Sequence, residues 1–161
     1  MNRRKLETQL KQLAYSQSQL CELLTSVTES QDWRPEPGEW SFSFVAAHLA
    51  TAEQECFQDR IQRIVSGSNP FLEYYLNTDR DFSDFDLQAS LKSWHETRQA
   101  IFAFVRGLSK DTWSLTGFHE INGSITSWDV LDSMLEHDQE HLKGLQQVMI
   151  KFRNEEGHRH G

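Results

Sequence analysis

Cysteine is scarce, positive charge is outnumbered, and no apolar run comes near the length of a membrane span. The only cysteines in 161 residues are Cys21 and Cys56, and both fall in helical patterns, so no disulfide framework is expected. No stretch reaches the roughly 20 apolar residues that cross a bilayer. The start, Met1-Asn2-Arg3-Arg4-Lys5, is basic but runs into polar residues instead of the apolar core of a signal peptide. These absences predict a reduced, cytoplasmic, soluble protein with no membrane partner. Lys and Arg number 16 against 24 Asp and Glu, a net charge of -8. Such a chain lacks the basic stripe that neutralises nucleic-acid phosphates, and the expected partners are small molecules or a second copy of itself. Also missing are a Gly-rich phosphate loop, a Gly-x-Ser-x-Gly elbow, His-Glu-x-x-His and Cys-x-x-Cys, so catalysis by a nucleophilic side chain has no support.

What is present is helical periodicity. Leu6, Leu10, Leu13, Leu20, Leu24 and Val27 follow alternating spacings of four and three, interrupted only by Gln17, and predict a helix over about 3–30 that ends before Pro35 and Pro37. A second helix is expected after Trp40, capped by Ser41 or Ser43, as far as about Val65, where Ser66-Gly67-Ser68-Asn69-Pro70 breaks it. A third begins behind Asp86 or Ser83, with Leu87, Leu91, Trp94, Arg98, Ile101, Val105 and Leu108 as its seam. A fourth begins at Thr126-Ser127-Trp128 and runs to about Phe152. With no convincing strand and no internal repeat, this predicts an all-α four-helix bundle with long connections. It is a single domain over residues 1–152, followed by a polar, frayed tail over 153–161. The length suffices for a core without staples, so a bound metal would be functional more than structural. The two later connections are long enough to cross the bundle or cover a site.

The chemistry lies in the histidines. His137 and His141 in His137-Asp138-Gln139-Glu140-His141 are four apart and share a helix face, and His48 lies at the edge of the inner face of the second helix. Three imidazoles on one ion would leave a coordination position for water or substrate, as catalytic metal sites do. Each could equally be an ordinary hydrogen-bonded core histidine, and spacing alone leaves both readings open. Glu53 and Asp138 fall on inner arcs and Arg98 in an apolar seam. Buried charge requires pairing, so Arg98 is expected to meet Glu53 or Asp138, unless Glu53 turns out to water. Asp138 could also orient a ligand imidazole. His119, in the connection before the fourth helix, could close over the site and orient substrate, or stand exposed. His95 reads as surface, and His158 and His160 as tail residues able to bind metal only adventitiously. Trp40, Trp94, Trp113 and Trp128 read as core packing.

With those residues in place, the chain resembles the DinB-like superfamily, helical-bundle metalloproteins that include bacillithiol-dependent transferases and relatives of mycothiol-dependent isomerases. The resemblance rests on Gly38-Glu39-Trp40-Ser41 leading to His48, Ala50 and Glu53, on Arg98, and on Gly123-Ser124-Ile125-Thr126 leading to His137-Asp138-Gln139-Glu140-His141-Leu142. It spans nearly the whole chain. It implies that His48, His137 and His141 hold a divalent metal, zinc or nickel, at one end of the bundle. It also implies an up-down-down-up order, with the connection between the second and third helices as the crossover, and a homodimer. The function it implies is a metal-dependent enzyme, a thiol transferase or hydrolase. The contrasting reading is a non-catalytic helical homodimer with a regulatory or vestigial metal site.

Overall fold

The computed structural model describes residues 1–159. Helix α1 spans Arg3–Thr25, followed by a 3-10 turn at Thr28–Ser30. Helix α2, Phe42–Ala52, continues without a break through a π-helical turn, Glu53–Gln58, into α3, Asp59–Val65. Helices α4, Leu87–Arg106, and α5, Ser127–Arg159, complete the four long rods. Local chemistry starts each one. The side chains of Asn2, Ser41 and Asp86 accept the backbone N–H of Arg4, Phe44 and Ala89. Thr126 and Asp129 exchange side chain-to-backbone bonds ahead of α5. α1 ends at Thr25, earlier than its periodicity suggested. α5 goes further: the polar tail continues as exposed helix to Arg159, and His160 lies outside the described residues.

Contacts fix the direction of each rod. Gln9 bonds Asp132 and Ser16 bonds Asp138, so α1 and α5 run parallel. Arg106 pairs with Glu7, while Leu87 at the other end of α4 bonds Gln31 just beyond α1, so α1 and α4 are antiparallel. Phe42 packs on Phe152 and His48 meets His141, so α2 opposes α5. The order is therefore up, down, down, up, as the resemblance implied. α3 and α4 point the same way, so the chain over 66–86 must return along the length of α2–α3. It does so in register: Tyr75 and Arg80 bond Glu55, Asn77 bonds His48 and Thr51, and Phe82 packs on Phe44.

Three short strands were not anticipated. β1, Phe71–Leu72, pairs parallel with β2, Thr116–His119, which forms an antiparallel hairpin with β3, Gly123–Thr126. Gly123, at φ +71, takes a positive backbone angle at the first residue of β3, where the hairpin loop closes. Gly117 lets the hairpin lie flush on the bundle, since a Cβ there would come within 2.8 Å of Leu72 and 3.1 Å of Ile64.

The apolar core falls into two halves. Leu6, Leu10, Leu13, Ile61, Ile64, Ile101, Leu131 and Met134 belong to one, and Leu20, Leu24, Phe42, Leu49, Leu91, Trp94, Leu145 and Met149 to the other. Between them lies a charged layer. Arg98, fully buried, donates from Nε and Nη2 to Glu53 at 2.7 and 2.8 Å and from Nη1 and Nη2 to Asp138 at 2.5 and 3.1 Å. Its Nη1 also reaches the carbonyl of Leu13 at 3.0 Å. Trp94 donates to Glu53 and Ser16 to Asp138. Arg98 thus meets both expected carboxylates, Glu53 stays inside, and the layer ties all four long rods together at one level.

Candidate metal centre

His48, His137 and His141 converge one turn from this layer, in the seam between α2 and α5. Their Nε2 atoms form a nearly equilateral triangle with edges of 3.2, 3.1 and 3.1 Å. The centre of such a triangle is about 1.8 Å from each corner, so an ion at the usual metal–nitrogen distance of roughly 2.0–2.1 Å caps it from just above its plane. Among the described residues these are the three side chains whose ligand atoms cluster in this way. They lie between the two core halves, midway along the bundle instead of at its end, because His48 precedes Glu53 by five residues and His137 is next to Asp138.

The imidazoles are prepared as neutral donors. Burial first, and the neighbouring histidines after it, push His137 down to about 4 and His141 to about 3. Burial lowers His48 too, against an opposing hydrogen bond to Asn77. That bond fixes the tautomer. Asn77 donates its amide N–H to Thr51 Oγ1 at 2.6 Å, which identifies its Oδ1 as the acceptor 2.5 Å from His48 Nδ1. His48 therefore carries its proton on Nδ1 and presents the Nε2 lone pair to the triangle, the usual arrangement of a metal-binding histidine held from behind.

The remaining candidates divide. His119 is buried and not an exposed loop side chain. Its Nδ1 accepts the backbone N–H of Ile121 and Asn122 at 3.2 and 3.1 Å, so the neutral ring carries its proton on Nε2. It lines the same cavity, of about 360 Å³, as the three histidines. Asp138 does not orient an imidazole by hydrogen bonding. Its oxygens go to Arg98 and Ser16, and it acts on His141 only through its charge. His95 is exposed as expected.

Two residues that touch the imidazole of His48 were missed. Asn77 is buried in a connection with no periodicity to reveal it. Trp40, read as core packing, instead covers the centre, its ring 4.9 Å from that of His48 and stacked on His141 at 6.0 Å. Its place immediately before the cap of a histidine-bearing helix was the available signal. Trp94 and Trp113 are buried, in line with packing.

An up-down-down-up helical bundle with three histidines at its open seam defines a class before any comparison is made. The sequence profile of the DinB superfamily matches residues 12–144, a span that holds the histidines and the charged layer, and the chain belongs to that superfamily. Among solved structures it is similar to YfiT from Bacillus subtilis, described as a probable metal-dependent hydrolase with an unusual four-helix bundle topology. The TM-score is 0.78 at 18% identity, covering 94% of this chain and 90% of that one, a likeness of fold. No curated protein matches the chain by sequence. No helix of the described residues is long and apolar enough to cross a membrane.

Proposed function

We propose that this protein is a metal-dependent enzyme of hydrolytic or thiol-transfer type, with His48, His137 and His141 as ligands to a divalent cation, zinc or nickel. The observation that carries the reading is the triangle of Nε2 atoms, 3.1–3.2 Å apart with no carboxylate among them. Neutral nitrogens held this way repel unless a cation or shared protons join them, and imidazole suits zinc and nickel. A divalent cation there supplies a Lewis acid and lowers the pKa of a bound water or thiol toward neutrality.

The chain's own residues do the rest. Asn77 holds His48 in the ligating tautomer. Trp40 closes one side of the centre, and Phe57 packs edge-on against His137 at 5.4 Å, limiting water to the cavity side. His119, its Nδ1 occupied, offers an Nε2–H donor to substrate from the opposite wall. Among the described residues no serine lines the cavity, and neither cysteine has a lowered pKa. Cys56 lines the cavity, but burial raises its thiol to about 11. The nucleophile therefore has to be supplied by water or a substrate thiol.

The test is metal analysis of untagged protein purified without added metal. The wild type is expected to hold one equivalent, and the His137→Ala, His141→Ala double variant none. Turnover of ester and thiol-acceptor substrates is expected only in the loaded form. Equal metal in wild type and double variant ends the reading.

A further inference from the structure

The cavity beside the histidines has a charge opposite in sign to that of the chain. Asp and Glu outnumber Lys and Arg by 24 to 16, yet no Asp or Glu lines this cavity, and the one permanently charged side chain on its wall is Arg60. Arg60 lies on α3, and one hydrogen bond is seen for its guanidinium among the described residues, Nη2–H to the carbonyl of Glu73 at 2.9 Å. Guanidinium carries five N–H donors, so most are unspent. Neighbouring Arg63 shows the contrast. It shares its charge between Asp59 and Glu73, and Arg80, across the crossover, is committed to Glu55. Among the described residues no carboxylate forms an ion pair with Arg60, although the Glu73 carboxylate is near enough to feel its charge. The Arg60 guanidinium therefore keeps N–H donors available to an incoming anion.

Within the histidine-lined cavity the groups beside Arg60 are donors as well, whereas Asp129, Asp132 and Glu136 line a second cavity that Arg60, His119 and Asn122 also border. His119 shares the wall, and Arg60 is close enough for its charge to help hold that imidazole neutral, behind the larger effect of burial. The His119 proton is fixed on Nε2, and the amide side chain of Asn122 completes the same wall. A guanidinium fork flanked by neutral N–H donors matches a carboxylate. A single cation suits one negative charge better than a dianionic phosphate.

We infer that the substrate carries a carboxylate bound by Arg60 and His119, with its reacting group placed at His48, His137 and His141. This inference rests on the metal-centred reading above for the position of the reacting end. In that arrangement Arg60 decides specificity and takes no part in bond making.

The experiment compares 3-mercaptopropionate with its neutral isostere 3-mercaptopropionamide, each titrated into cobalt(II)-loaded protein at pH 7.5 and followed by thiolate-to-cobalt absorption. A charge-assisted bond to Arg60 gives the acid about tenfold tighter binding in the wild type. In Arg60→Gln the ratio falls to about one with the amide's affinity unchanged, and Arg60→Lys keeps part of the preference, as a point charge without the fork would. Equal affinities in the wild type, or a preference that survives Arg60→Gln, overturn the inference. Metal-free protein is titrated in parallel by NMR. A shift of the Arg60 Nε–H resonance with the acid and not the amide sustains the carboxylate site even if the histidines take up no cobalt, an outcome that defeats only the metal reading. No shift in either form overturns the carboxylate site itself.

Discussion

Replacing Arg98 by Met removes a charge from the centre of the bundle while keeping an apolar stem of similar reach. In the wild type the guanidinium satisfies four carboxylate oxygens and one backbone carbonyl, with no exposure to solvent. Burial opposes its charge, but the Glu53 and Asp138 carboxylates outweigh that and hold it protonated well above the ordinary arginine range. Without it, two carboxylates face each other in a dry layer with only Trp94 and Ser16 as donors. Breaking one buried pair in this way costs about 3–5 kcal/mol, and here one residue serves two partners, which places the loss at the upper end. For a chain of this length 1 kcal/mol moves the midpoint by roughly 2–4 °C, so a fall of about 10–20 °C is expected. Thermal and urea unfolding measure it. Arg106→Met is the control: its pair with Glu7 is half exposed, and losing it should cost under about 1 kcal/mol. Removing all three charges with Arg98→Met, Glu53→Gln and Asp138→Asn together should recover part of the loss. If Arg98→Met keeps its midpoint and its metal but loses affinity for substrate, Arg98 belongs to the active site and the structural assignment is wrong.

Four further outcomes are expected. In the metal-free protein, folded His137 and His141 stay neutral to about pH 4 and 3, whereas the unfolded chain takes up protons near pH 6.5. Stability is then full above pH 6.5 and falls below it by ~1.4 kcal/mol per pH unit per histidine; a urea midpoint unchanged between pH 7 and 5 contradicts this. For the same reason, metal loss on mild acidification should follow unfolding more than ligand protonation, to be read by metal analysis alongside circular dichroism. Asn77→Ala should weaken metal binding about 10- to 100-fold by freeing the His48 tautomer, measured by chelator competition, and an unchanged affinity would remove Asn77 from the site. A homodimer is expected through the face where the crossover and hairpin expose Phe71, Tyr74, Leu76, Phe118 and Ile121. A monomeric mass at micromolar concentration by sedimentation would dispose of it.

The long helices were legible because each buries a stripe, and a stripe leaves a period. Leu6 to Val27 and Leu87 to Val105 show it, and the positions of Arg98 and Asp138 in such stripes announced the buried layer. His137 and His141 were legible for the same reason. What the period could not carry is structure set by tertiary contact. Asn77 meets His48 because α4 starts at the far end of the bundle and the crossover must run back along α2. The π-helical turn adds a residue with no signature of its own, so that Cys56, Phe57, Ile61 and Ile64 all reach the core although they do not follow one regular helical period. The hairpin did leave a signal, Asn122-Gly123 between Phe118-His119 and Ile125-Thr126. Strands of four residues are too short for alternation to stand out against the helical pattern around them.

The charged layer and the histidine triangle act as one device. Three lone pairs do not turn toward a common point unprompted, and in a loosely packed seam each imidazole would rotate toward water. Here the ligands are joined to the layer through short pieces of helix: His48 reaches Glu53 within one helix, and His137 is covalently next to Asp138. Glu53 and Asp138 are in turn fixed by the same guanidinium, which also binds the carbonyl of Leu13. Any relative slide of α2 and α5 that opened the triangle would have to break bonds to a buried charge. The energy that preorganises the donors is therefore drawn from ion pairing deep in the bundle, leaving the cavity side of the triangle free for Arg60, His119 and the molecule they select.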